Sequence, residues 1–175
     1  MSKKLQKSIS VFTSVATILW LSGIATIIPI AAQTTIVDGD LIQNPSAAGA
    51  AAWDVYIAKI VGTSKYKRLV LSPHVFESYG HLSWSKIKKV DQATLDSYTT
   101  SDLVRGSETS LGFDDPKVYK LIADGDTGTR QHLNMTAAQF EAAGYMWNSI
   151  YNVNQTDRDD YTVGTDIGSG SGASI

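Results

Sequence analysis

Few residues here have the types and spacing that support chemistry. Asp124-Gly125-Asp126-Thr127-Gly128 opens like a calcium loop, because alternate carboxylates can reach one hard cation. It lacks the third carboxylate position and the distal Glu of an EF-hand, and Asp and Gly are also what tight turns use. A hairpin turn is therefore the reading adopted. The histidines His74, His81 and His132 stand at no metal-ligand spacing, and cysteine is absent. Zinc sites, disulfides and Cys nucleophiles are therefore not expected. No Gly-x-Ser-x-Gly elbow and no Gly-rich phosphate loop occurs, so no catalytic, metal or cofactor residues are assigned. A hydrolase with a site between two units stays as an alternative, because triads assemble from distant positions.

Binding is the other chemistry to weigh. Trp84 and Trp147 could stack on sugar rings, although indoles of this kind more often lock a helix to a sheet. Arg68, Arg130, His132 and Asn134 fall on what strand alternation makes an outward hairpin face, and they join the two indoles as candidate ligand-binding residues. Asn134-Met135-Thr136 and Asn154-Gln155-Thr156 fit the glycosylation acceptor pattern.

What must position these residues is an internal repeat. Shifting the chain on itself by roughly 63–64 residues sets Asp54-Val55-Tyr56 near Lys117-Val118-Tyr119. Leu69 then meets Leu133, Phe76 meets Phe140, Gly80 meets Gly144 and Trp84 meets Trp147. Tyr98-Thr99 meets Tyr161-Thr162. A one-residue change of register is placed in the Gly62/Gly125 turn. The units run 39–100 and 101–163, with 164–175 as the start of a third unit or a Gly/Ser tail. Pro45–Ala52 and Gly106–Asp115 read as low-complexity loops.

Each unit reads as strands flanking a turn, then a short helix, a brief extended piece and another helical turn. Ser72 with Pro73, and Thr136 with Gln139, mark the helix starts. Gly80 and Gly144 are expected as left-handed helix ends. The fold class is α+β: two tandem ~60-residue repeats, each too small to stand well alone, packed together behind an N-terminal hydrophobic helix.

Met1–Lys7 carries Lys3, Lys4 and Lys7, and residues 9–32 hold 24 uncharged positions. A basic start before an apolar run is an export signal, and a run this long would also span a bilayer. Residues 1–32 are thus a signal peptide cleaved after Ala32 or a retained anchor. Either way the remainder lies outside the cytoplasm, and membrane contact is confined to residues 9–32. That remainder holds 12 basic and 17 acidic residues, a net charge of −5, which disfavours nucleic acid as a partner.

The series Val-Tyr, Lys67-Arg68, Phe76-Glu77, Gly80, Trp84, Val90, Leu95 and Tyr98 resembles a repeat of bacterial exported and cell-surface proteins. The second copy departs from it, with Arg130-Gln131-His132 for the Lys-Arg pair and Arg158 for Leu95. The resemblance covers about Gly39 to Gly164. It implies an envelope-associated role and carries no catalytic residues. The export signal, the duplication and the lack of a recurrent polar site together give the leading reading, a non-enzymatic structural or adhesive module of the cell envelope with cell-wall glycan or other envelope proteins as partners. A glycan- or peptidoglycan-binding module is the alternative within the same compartment.

Overall fold

The computed structural model describes residues 34–108, 113–168 and 175. The expected N-terminal helix over residues 1–32 lies outside the described residues. Thr34–Ile175 forms a compact α+β unit with two five-stranded mixed sheets and short helices. Among the described residues no helix is long and apolar enough to cross a membrane.

The first sheet comprises β1 (Leu41–Gln43), β2 (Tyr56–Val61), β3 (Ser64–Leu69), β4 (Lys88–Lys89) and β5 (Thr99–Thr100) in the order β4-β1-β2-β3-β5. The second comprises β6 (Leu103–Glu108), β7 (Phe113–Asp124), β8 (Thr127–His132), β9 (Tyr151–Val153) and β10 (Thr162–Val163) in the order β9-β6-β7-β8-β10. In both, the three central strands are antiparallel and the two short outer strands add in parallel. Helix α1 (Pro73–Ser78) and α2 (Gln92–Asp96) belong to the first half, α3 (Ala137–Ala142) and α4 (Gln155–Asp159) to the second.

Local sequence accounts for the helix ends. The side chains of Ser72, Asp91, Thr136 and Asn154 each accept from a backbone N–H of the first turn. Thr136 and Gln139 complete a reciprocal capping box. Both hairpins close through two-residue turns, Gly62-Thr63 and Gly125-Asp126, with the glycines at φ 61° and 62°. Asp124-Gly125-Asp126 is thus a hairpin turn, as its composition suggests.

Hydrogen bonding moves the expected register by one residue. The Val70 N–H donates to the Val55 carbonyl at 2.9 Å, and the Leu133 N–H donates to the Val118 carbonyl at 2.9 Å. Val70, not Leu69, is therefore the counterpart of Leu133, and the offset that relates Val55 to Val118 runs unbroken through the turn. The extra residue falls between Leu133 and the Thr136 cap, where the Asn134 and Met135 N–H groups fold back on His132 and Leu133. Leu133 attracts the wrong partner in a sequence comparison because it matches Leu69 by type.

Three further expectations are corrected. Gly80 is absent from the glycines with positive φ, whereas Gly144 has φ 81°. Helix α1 ends instead on an extended Tyr79 (φ −93°, ψ 105°), whose phenol swings inward to Asp157. Gly106–Asp115 is not simply a loop: Gly106–Glu108 pairs with Phe113–Asp115, lengthening the second hairpin beyond a bulge at Arg105/Gly106. The first half has a 3-10 turn, Gly49–Ala52, in the corresponding stretch.

The main core draws on both halves. Val55, Tyr66, Val70, Phe76, Val104, Leu121, Tyr151 and Val153 form one buried cluster. A second cluster lies under α3 around Leu103, Val118, Leu133, Met135, Phe140 and Ile150, and a third lies under α2 around Ile42, Ala58, Leu95 and Tyr98.

Candidate functional site

Arg68 shares one face of β3 with Tyr66, in line with Val70 just beyond the strand, and that face is the interior, not the outside. Only 2% of its side chain is exposed; Nη2 donates to Asp157 Oδ2 at 2.8 Å and Nη1 donates to Oδ1 at 3.2 Å. Tyr79 Oη donates to the same carboxylate at 2.5 Å, and the guanidinium lies over the Tyr151 ring. Burial works against the Arg68 charge, but Asp157 and Tyr79 outweigh it and hold its pKa above the ordinary value. Burial, then Asp157, push the Tyr79 phenol up. The outward placement of Arg68 is therefore corrected: it is a buried tie between β3 and α4.

The basic residues beside it serve the helices. Lys67 Nζ donates at 2.8 Å to the carbonyls of Leu95 and Tyr98, at the end of α2. On β8 of the second sheet, Arg130 donates in the same way to the Arg158 carbonyl near the end of α4. A cation there also meets the negative end of the helix dipole. Arg130 further pairs with Asp159 at 2.6 Å, and Arg158 bridges Asp159 and Asp115 at 2.8 and 2.7 Å. Hydrogen bonds from Arg158 and Arg130 hold the Asp159 carboxyl low against partial burial. At Asp115 burial is the largest influence and raises the pKa, yet Tyr119 and Arg158 bring it below the usual range. Burial, helped by Asp115, pushes the Tyr119 phenol up to about 12.

His132 faces Asp166 at 3.4 Å and the Ile175 carbonyl at 3.2 Å. The Asn134 N–H donates to the Ile167 carbonyl at 2.9 Å. Asn154, one of the two acceptor-pattern asparagines, is buried and caps α4 while bonding Ser78. Among the described residues no group of three His, Asp or Glu is arranged to hold a metal ion.

The indoles occupy intermediate positions. Trp84 stacks on Phe76 with centroids 3.8 Å apart and planes at 17°, yet 49% of it is exposed. Trp147 packs on Phe140 at 4.2 Å, donates Nε1 to Glu141 at 2.9 Å, and is 37% exposed. Each covers a core phenylalanine and leaves surface to solvent.

Trp84 also borders the candidate site, a pocket of about 410 Å³ beside the first hairpin. Its floor is Val55, Val70, Leu71 and Phe76; its rim is Trp53, Trp84 and Pro73, with Asp54 and the Asp126 hairpin tip at one side. Trp53 follows the 3-10 turn Gly49–Ala52, donates its N–H to the Ala50 carbonyl at 2.9 Å, and is 81% exposed. Asp54 accepts from the Tyr56 phenol at 3.2 Å, and burial with this carboxylate pushes that phenol up to about 12. Apolar walls with few polar groups suit binding of a chain segment or a flat ring rather than acid–base work.

The structure thus brings one of the six sequence candidates, Trp84, to this pocket; Arg68, Arg130, His132, Asn134 and Trp147 lie elsewhere. Sequence reasoning missed Trp53 and Asp54, and read Asp126 only as part of a hairpin turn. A usable signal existed at Trp53: the sequence comparison sets it opposite Pro116, so this indole has no matching aromatic residue.

The fold and pocket define a two-sheet α+β protein with a small apolar cleft. Compared with known proteins, the chain matches no family model, no curated relative and no solved structure.

Proposed function

We propose that this chain is an exported, non-enzymatic repeat protein of the bacterial cell envelope, a structural or adhesive module made of two tandem copies of one ~60-residue unit. The observation that carries the duplication is the shared plan of the sheets. Equivalent bonds recur at matched positions of the two copies, including Ser101 N–H to the Lys67 carbonyl and Gly164 N–H to the Arg130 carbonyl, both at 2.8 Å. Recurrence extends to function-neutral devices such as Lys67 and Arg130 capping α2 and α4. What recurs is scaffold, which suits a load-carrying or spacing role. Export rests on the lysines before the uncharged stretch of residues 9–32.

The test is to express the full chain with a C-terminal tag in a bacterial host and fractionate the cells, then treat intact cells with protease. Recovery with the envelope or medium, and cleavage on intact cells, is the expected result. A cytosolic, protease-protected product would overturn the proposal.

A further inference from the structure

The pocket between Trp53 and Trp84 carries a chemistry that the scaffold does not need. Its floor is apolar, formed by Val55, Val70, Leu71 and Phe76. Trp84 stacks on Phe76 at 3.8 Å and keeps about half of its surface open, while Trp53 stands almost fully in solvent. An indole face attracts a cation through its ring quadrupole, more strongly than the other side-chain rings do. The charged residues at the pocket are Asp54 and Asp126, and no Lys, Arg or His occurs among its described lining residues.

Elsewhere Asp40, Asp115, Asp157 and Asp159 each hold a Lys or Arg within 2.8 Å. Asp54 and Asp126 form no ion pair among the described residues. Asp54 Oδ2 accepts the Tyr56 hydroxyl at 3.2 Å, which holds the carboxylate in place without neutralising it. Ser72 also lines the pocket, but its hydroxyl is engaged, accepting from the Val75 N–H and donating to Asp160. The pocket thus offers aromatic faces beside uncompensated negative charge. An anion would meet two like charges there, and a sugar would lay its hydroxyls on an apolar floor. Aligned by the shared pattern, Trp53-Asp54 stands opposite Pro116-Lys117, whereas Val55, Phe76 and Trp84 match Val118, Phe140 and Trp147. The indole and the carboxylate are therefore particular to this pocket.

We propose that this pocket binds a small organic ammonium ion carrying an apolar or aromatic body. The charged end lies beside Asp54 and Asp126, and the body sits between the indoles over Val70, Leu71 and Phe76. A volume of about 410 Å³ falls within the roughly 300–1,000 Å³ of small-molecule pockets. The floor selects against inorganic cations, to which apolar side chains return nothing for the water they shed. This binding goes beyond the envelope role and rests on the pocket alone, not on export or duplication.

The probe is benzylammonium, titrated into the full chain while the indole N–H signals are followed by NMR. Those of Trp53 and Trp84 should shift with one midpoint at about 1 mM, an ordinary strength for a ligand of this size. That of Trp147 should stay in place and reports that each variant is folded. Benzyl alcohol, similar in shape but uncharged, should bind about tenfold more weakly, and benzoate should not bind. Asp54→Asn combined with Asp126→Asn should weaken benzylammonium about tenfold, and so should Trp53→Ala, whose exposed side chain can be removed without opening the core. Asp96→Asn, at an exposed carboxylate outside the pocket, should change nothing and so separates the site from net charge. No saturable shift by about 10 mM, equal affinity for benzyl alcohol, or unchanged affinity in the Asp54/Asp126 variant overturns the proposal. Tighter binding of chitotriose also overturns it, in favour of a glycan cleft, as does tighter binding of N-acetyl-lysine amide, in favour of a partner protein's lysine. None of these readouts depends on where the cell places the protein, so failure here is separable from failure of the envelope assignment.

Discussion

Removing Asp157 should expose how much of this fold depends on one buried charge. Its carboxylate is fully buried and accepts three hydrogen bonds, two from Arg68 and one from Tyr79. Arg68 Nε has no partner among the described residues, so Asp157→Ala leaves the guanidinium only the Leu69 carbonyl at 3.3 Å. Stranding a buried charge costs about 3–5 kcal/mol. That is a large share of the roughly 5–15 kcal/mol that holds a domain folded. For a unit of this length it corresponds to a fall in Tm of about 10–15 °C. Urea unfolding followed by tryptophan fluorescence measures the loss directly. Replacing both partners, Arg68→Met with Asp157→Leu, should recover stability to within about 2 kcal/mol of the parent, because no charge is then stranded. A loss below about 1 kcal/mol for Asp157→Ala, or a double variant no better than the single one, would refute the view that the pair is a buried tie.

Other expectations follow from the same geometry. Burial, then Asp157, push the Tyr161 phenol up to about 12, and Tyr79 and Tyr151 are also raised. An unfolded tyrosine ionises near pH ~10, so stability is intact below that value and falls as pH rises from 10 through 12. Tyr161 alone should contribute a loss of about 1.4 kcal/mol per pH unit in that window, checked by urea midpoints at pH 9, 10 and 11. At the acid end, Asp115 and Asp159 are held low. Their contribution is present above an unfolded pKa of about 3.9 and is lost as pH falls through the lower folded values, so urea midpoints should decline only below pH ~4. Gly144→Val should destabilise by about 1–2 kcal/mol because φ is 81°, whereas Gly80→Ala should be near neutral; thermal melts distinguish them. Gly128→Ala would place a Cβ 2.6 Å from both the Ile122 carbonyl oxygen and the Tyr161 ring, so it should lower the melting point strongly.

Much of this structure is legible in sequence where the physics is local. Ser72 and Thr136 announce helix starts because a cap acts within three residues, and Asp91 and Asn154, not singled out in the sequence, cap by the same local rule. The glycines of the two hairpin turns do the same for the strands. Arg68 is different: its partner lies 89 residues away, and alternation alone separates the two faces without saying which is covered. Once its face is known to be interior, a charged residue between Tyr66 and Val70 requires a buried acid, which is Asp157. The identical leucines 69 and 133 concealed the correct register, and with it the correspondence of Lys67 and Arg130. Gly80 misled because its helix ends for a distant reason, the Tyr79 phenol reaching Asp157. Trp53 went unnoticed at the end of an alanine-rich loop, since the pocket it borders forms only when the end of β3, α1 and the second hairpin tip meet.

The most direct test of the duplicated plan is native-state hydrogen exchange read amide by amide. The expected result is matching protection at Val70 and Leu133, at Ala58 and Leu121, and at Ser101 and Gly164, every pair related by the same offset along the chain. Protection confined to one half, or pairs slipped by a single position through the hairpins, would contradict it.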